Sequence, residues 1–281
     1  MSLTIATWTL VFLGALSLLV TRRKAPALGL IAAGYLLAFL GGLLDWPAVI
    51  PLVMLLAAAY AVAPQRKRAW RVAGHAAFVA LAVGLGFHLL PGFDNPQVIG
   101  PVRLTPDAVP YTMYLNLDKP LAGFWLLLVW PALCLHQGRW SWLRGMGIGL
   151  AAAAICLGLA LLLGEVAFAP KWPELGWLWA INNLLLVCLT EEALFRGYLQ
   201  EELARRLRAR DGGEMLAIAI AAALFGVVHA AGGFGYVLVA MLAGVGYGIA
   251  YRYGGLQASV MAHFRLNLVH FSLFTYPMLA S

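Results

Sequence analysis

Met146-Gly-Ile-Gly-Leu-Ala-Ala-Ala-Ala-Ile-Cys156-Leu-Gly-Leu-Ala-Leu-Leu-Leu-Gly-Glu165-Val166 carries no charge until its end. About 20 predominantly apolar residues suffice for a helix to cross the hydrocarbon of a bilayer, and this stretch supplies them. Runs of the same kind recur at about 3–20, 27–44, 47–63, 71–90, 121–136, 177–200, 214–231, 235–251 and 255–275. Backbone polar groups in lipid must be satisfied within the segment, which favours helices. The pattern therefore predicts an all-α fold, a polytopic transmembrane helical bundle of about ten spanning segments.

Composition agrees. The chain of 281 residues is 63% hydrophobic and 11% charged, where soluble domains carry about 25% charged residues. A cytosolic globule with one core is excluded. Cys134, Cys156 and Cys188 sit singly in apolar runs, so neither a disulfide framework nor a cysteine–zinc site is expected. They read as small apolar packing residues. The first run is not a cleaved signal peptide, because Arg22, Arg23 and Lys24 follow it rather than precede it.

The basic residues set orientation. Of nineteen Lys and Arg, fourteen fall in alternate connections, at 22–24, 66–71, 139–144, 205–210 and Arg252. Only Arg103, Lys119 and Lys171 lie in the intervening ones. Cytoplasmic loops carry the excess of positive charge, so the basic loops are expected in the cytoplasm and both termini outside. The net charge of +7 is then an orientation signal and an affinity for anionic headgroups, not a nucleic-acid footprint. Pro91 to Pro120, rich in Pro, Asp and Tyr, reads as an extramembrane loop.

Residues 1–176 offer little chemistry. His75, His88 and His136 have no acidic neighbour at helical spacing and read as packed or interfacial. The chemistry concentrates in 177–281, where Asn182-Asn183-Leu-Leu-Leu-Val-Cys-Leu-Thr190-Glu191-Glu192-Ala-Leu-Phe-Arg196-Gly197 puts two adjacent carboxylates into an apolar run. Each costs about 2.5–3.5 kcal/mol at the centre of a bilayer on insertion scales. Glu192 and Arg196 are four apart and share a helical face, so they can pair. Glu191 points about 100° away and lacks that partner. Further on, Phe225-Gly-Val-Val-His229 and His263-Phe-Arg265-Leu-Asn267 each bring polar groups into apolar segments. Ionisable groups in such helices face the bundle interior. As a constellation they suit hydrolysis: Glu191 and His229 to share the protons of a water, His263 and Asn267 to donate to an oxyanion.

Glu191-Glu192-x-x-x-Arg196, Phe225-x-x-x-His229 and His263-x-x-x-Asn267 together resemble the signature of the CPBP family of intramembrane proteases. That family includes the CAAX prenyl endopeptidases and the bacterial Abi proteins. Gly197 and Gly254-Gly255 match the motif flanks. The resemblance covers about 177–275 and implies a CPBP-like protease core at 177–281, preceded by membrane segments of unassigned function at 1–176. It implies a glutamic-type endopeptidase of a plasma membrane, the bacterial inner membrane, without an obligatory metal. By the same resemblance Glu191 with His229 activates water, His263 with Asn267 forms the oxyanion hole, and Glu192 and Arg196 support them. Its partners are the lipid bilayer and a peptide or membrane-protein substrate.

Alternatives stay open at this level. Zinc bound by Glu191, His229 and His263 is one, although no HExxH is present. A transporter or proton relay is another, although the internal symmetry expected of one is not found. A catalytically silent scaffold or immunity protein of the same fold is a third. Arg265 lies two residues from both His263 and Asn267, so it points to roughly the opposite side of that helix.

Overall fold

The computed structural model describes residues 3–21, 23–130 and 139–280, with side chains from 143 onward in the last range. Cys134, His136 and the end of the run 121–136 lie outside the described residues. The helices are α1 Leu3–Val20, α2 Lys24–Leu40, α3 Val49–Ala61, α4 Arg68–Gly86, α5 Lys119–Val129 and α6 Arg139–Leu162, followed by three more. These are α7 Gly176–Leu207, α8 Gly213–Val227 and α9 Phe234–Leu273. Two short strands, β1 Gln97–Val102 and β2 Tyr111–Tyr114, form a small sheet in the polar loop. The bundle is all-α apart from that sheet.

Each predicted run contains helix, but several helices stop short of the predicted ends, at Leu40, Gly86, Leu162 and Val227, and about ten spans are not established. Among the described residues, five helices are long and apolar enough to cross a membrane: α1, α4, Leu143–Leu162 of α6, α7 and α9. The other apolar helices are shorter, Lys24–Leu40, Trp46–Ala61, Lys119–Val129 and Gly213–Val227. Large apolar side chains such as Leu36, Ile50, Leu56, Leu162 and Phe234 stand exposed on them. A soluble monomer does not carry this much exposed apolar surface; a chain immersed in lipid does.

The chain divides into two compact units, 1–96 with 114–131 and 185–190, and 97–113 with 132–184 and 191–281. In the first, α1 and α2 approach through glycines. A Cβ on Gly34 would lie 2.9 Å from the Val11 side chain. Trp125 of α5 stacks on Phe78 of α4 at 4.0 Å between ring centroids and donates to the Leu55 carbonyl at 2.8 Å. Asp118 caps α5, one oxygen accepting from the Lys119 amide at 2.8 Å. Its other oxygen meets His88 Nδ1 at 2.7 Å. Sequence gave His88 no acidic neighbour because this one lies thirty residues away.

In the second unit α6 lies along α9. A Cβ on Gly149 would sit 2.9 Å from the Ala262 Cα, so only glycine permits this approach. The core there is built of small residues, among them Ala152, Ala153, Ala243, Ala250 and Ala258, around Phe225 and Tyr247. The polar loop and the C-terminal tail meet through a bridge between Ala108 and Leu279. Beside that tail, burial lowers the Lys171 ammonium to about 8. Tyr111, in the same region, is pushed up to about 12 by burial, partly offset by hydrogen bonds with Tyr276 and Trp179.

Two local features were not expected from sequence. The run containing both glutamates is wound wide on either side of them, with π turns over Asn183–Cys188 and Ala193–Gln200 flanking an α turn at Leu189–Glu192. Such turns occur mostly as single bulges inside α-helices and are frequent at functional sites. The last two predicted segments are joined by one residue rather than a loop. Gly255 has φ 72° and ψ −168° inside α9, a conformation open in practice to glycine alone. Arg252 therefore sits in a helix just before a kink, not in a connecting loop.

Candidate active site

Glu192 joins three side chains of the site. Its Oε2 accepts from Arg196 Nε at 3.1 Å, one helical turn on, and both side chains are fully buried. The same oxygen accepts from the Ser259 hydroxyl. Its Oε1 meets His263 Nδ1 at 2.8 Å. The pairing expected of Glu192 and Arg196 is present, and α9 adds two partners that i, i+4 spacing on α7 does not reveal.

A buried guanidinium needs more than one carboxylate oxygen. Nη1 and Nη2 of Arg196 have no hydrogen-bond partner among the described residues. Its central carbon instead lies 5.2 Å from the Phe225 ring centroid and 5.9 Å from that of Tyr247. Contact with π faces is worth about 2 kcal/mol when desolvated, which offsets part of the cost.

His263 stands between the two carboxylates. With Nδ1 on Glu192, its Nε2 lies 4.0 Å from Glu191 Oε2. The ring is clamped by Tyr247, stacked at 4.5 Å and 14°, and meets Phe225 edge-on at 5.7 Å. Glu191 is nearly buried, its side chain 12% exposed. Tyr236 lies within electrostatic reach of it. Tyr236 also lies beside His229, ring to ring at 6.0 Å.

His229 follows the last turn of α8, and its Nδ1 meets the Phe225 carbonyl at 2.7 Å. A carbonyl only accepts, so Nδ1 carries the hydrogen and Nε2 is the basic nitrogen. Phe225 thus does more than fill space. Its carbonyl sets the His229 tautomer, and its ring touches His229, His263 and Phe195. A spacing of four between Phe and His is what lets one residue do both.

Asn267 donates from Nδ2 to Asn183 Oδ1 at 3.2 Å. Asn183 was visible in the sequence as a polar residue in an apolar run, yet nothing local ties it to a residue 84 positions away. Ser259, His263 and Asn267 recur every fourth residue after the kink and so line one face of α9. Ser259 went unnoticed because a lone serine is ordinary in a membrane helix. Arg265 lies away from this face, where its Cβ would approach one built on Gly149 of α6. Among the described residues, no three His, Cys, Asp or Glu side chains converge as metal ligands do.

Residues 172–269 match the model of a family described as Rce1-like, type II CAAX prenyl endopeptidase. No curated protein and no solved structure matches the chain. The match spans both glutamates, His229, His263 and Asn267, and it is the family that the three motifs resemble. Residues 172–269 are thus similar to a family of type II CAAX prenyl endopeptidases, and the long apolar helices around them are those of a multi-pass membrane protein.

Proposed function

We propose that this chain is a glutamic-type intramembrane endopeptidase in which Glu191 is the base that activates water. The observation that carries the reading is the pair of carboxylates on His263: Glu192 holds its Nδ1 at 2.8 Å, and Glu191 faces its Nε2 at 4.0 Å. Glu192 is committed to Arg196, Ser259 and His263, and the proton-accepting role falls to Glu191. Its oxygen takes a proton as water attacks the scissile carbonyl carbon. His229, its Nδ1–H fixed by the Phe225 carbonyl, accepts the second hydrogen bond of that water through Nε2.

The charge that develops on the carbonyl oxygen is met by His263 and Asn267. His263 rests neutral with its Nδ1–H on Glu192; in the substrate complex it takes up a proton from solvent at Nε2 and, as an imidazolium, donates from that nitrogen. Asn183 orients the Asn267 amide by accepting one of its hydrogens, and the amide donates to the oxyanion. Donors fixed before reaction are worth about 2.7–4 kcal/mol each in comparable oxyanion holes. When the intermediate collapses, the C–N bond breaks and Glu191 returns its proton to the leaving amine. The substrate class is a membrane-associated peptide, prenylated as the matched family's description indicates. Comparing the membrane peptidomes of wild type and a Glu191→Gln strain tests the reading; identical peptidomes would count against it.

The proposed chemistry uses no obligatory metal. Activity in detergent is expected to survive exhaustive chelation. Complete loss that one stoichiometric divalent ion restores would instead favour zinc held by Glu191, His229 and His263.

We further propose that the arginine-rich segment 205–210 faces the cytoplasm and that both termini lie outside, in a bacterial inner membrane. Pro106 and Arg208 are both exposed. A thiol reagent that cannot cross the membrane should label Pro106→Cys from outside and Arg208→Cys only after permeabilisation. Labelling of both from one side would overturn this orientation.

A further inference from the structure

The hydroxyl of Ser259 is fully buried, and its hydrogen bond goes to Glu192 Oε2. One turn on, His263 Nδ1 takes the other oxygen of that carboxylate at 2.8 Å. Arg196 also uses Oε2, at 3.1 Å. A carboxylate facing one cation can rotate and exchange its oxygens. With a hydroxyl pinned on Oε2 from the helix that carries His263, Oε1 stays on the imidazole.

That matters because an imidazole has two neutral tautomers and can flip its ring. The partner on one nitrogen decides which form is present. Tyr247, stacked at 4.5 Å and 14°, fixes the plane of the ring but does not distinguish one flip from the other. The hydrogen bond to Glu192 Oε1 makes that choice. It makes Nε2 the nitrogen that faces Glu191 at 4.0 Å.

We propose that Ser259 is a positioning residue of this site: through Glu192 it fixes the tautomer and ring orientation of His263. The inference rests on the hydrolytic reading above, and its test contains a measurement that needs no turnover. Protein labelled with ¹⁵N-histidine is prepared in detergent as wild type, Ser259→Ala and Ser259→Thr, with His263→Gln to identify the signal. Wild type should show His263 as a single Nδ1–H tautomer, and Ser259→Ala a mixture. The kcat of Ser259→Ala should fall about 10–100-fold, the usual loss for an outer partner of a site. KM should stay within about twofold, since the defect is one of the reacting state. Ser259→Thr, which keeps the hydroxyl, should return both readings toward wild type.

A Ser259→Ala protein that melts lower yet keeps one tautomer and full kcat would reduce Ser259 to packing and overturn the proposal. So would a folded Ser259→Thr that is no better than Ser259→Ala. If Ser259→Ala does not accumulate, Ser259→Cys keeps the volume, weakens the donor and is judged in the same way. A tautomer mixture in Ser259→Ala of a chain that cleaves no peptide would support the positioning role and count against hydrolysis alone.

Discussion

Replacing Glu191 by Gln should lower turnover about 10²–10⁴-fold, the usual share of general acid–base catalysis. The amide keeps the size of the carboxylate but cannot take a proton from water. Glu191 faces His263 Nε2 at 4.0 Å, and an amide of the same size and shape leaves no cavity, so melting temperature should change less than turnover. KM should also hold, because a base acts on the reacting water and not on substrate binding. The measurement is kcat, KM and thermal stability on one preparation. Near-normal turnover in Glu191→Gln would remove the base from the mechanism.

The second large effect is on stability. Glu192→Gln leaves the Arg196 guanidinium fully buried without its carboxylate, and breaking such a pair costs about 3–5 kcal/mol. The structure adds to that cost, because Ser259 and His263 Nδ1 also donate to this group. Both oxygens of Glu192 accept, whereas a glutamine has one acceptor and a donor in place of the other. Yield and melting temperature should therefore drop sharply, with turnover falling as His263 loses its orientation. Adding Arg196→Gln should recover part of the stability, since no uncompensated cation then remains. A Glu192→Gln protein as stable as wild type and inactive, beside a Glu191→Gln protein that is active, would exchange the two roles.

The two glutamates show how far sequence alone reaches. That Glu192 shares a face with Arg196 follows from helical geometry, and the pair forms although the turns on either side are wound wide. The spanning character of the chain was legible for the same kind of reason, since uncharged runs long enough to cross hydrocarbon are a local property. So was the face shared by His263 and Asn267, four residues apart on one helix. The resemblance of the three motifs to a protease family likewise needed only order and spacing.

What sequence could not decide is what each of those faces meets. That Glu192 is held by Ser259 and His263, that Asn267 leans on Asn183, and that Asp118 reaches His88 are contacts across 67, 71, 84 and 30 residues. The π turns and the single-residue break at Gly255 belong with them. Periodicity reports which side of a helix is polar. It carries no information on the rotation and depth at which two helices pack. Those are set by side-chain fit over the whole interface, such as the close approach of α6 to α9 at Gly149. Residue types and their faces were thus determined by the sequence by itself; their partners were decided by tertiary packing.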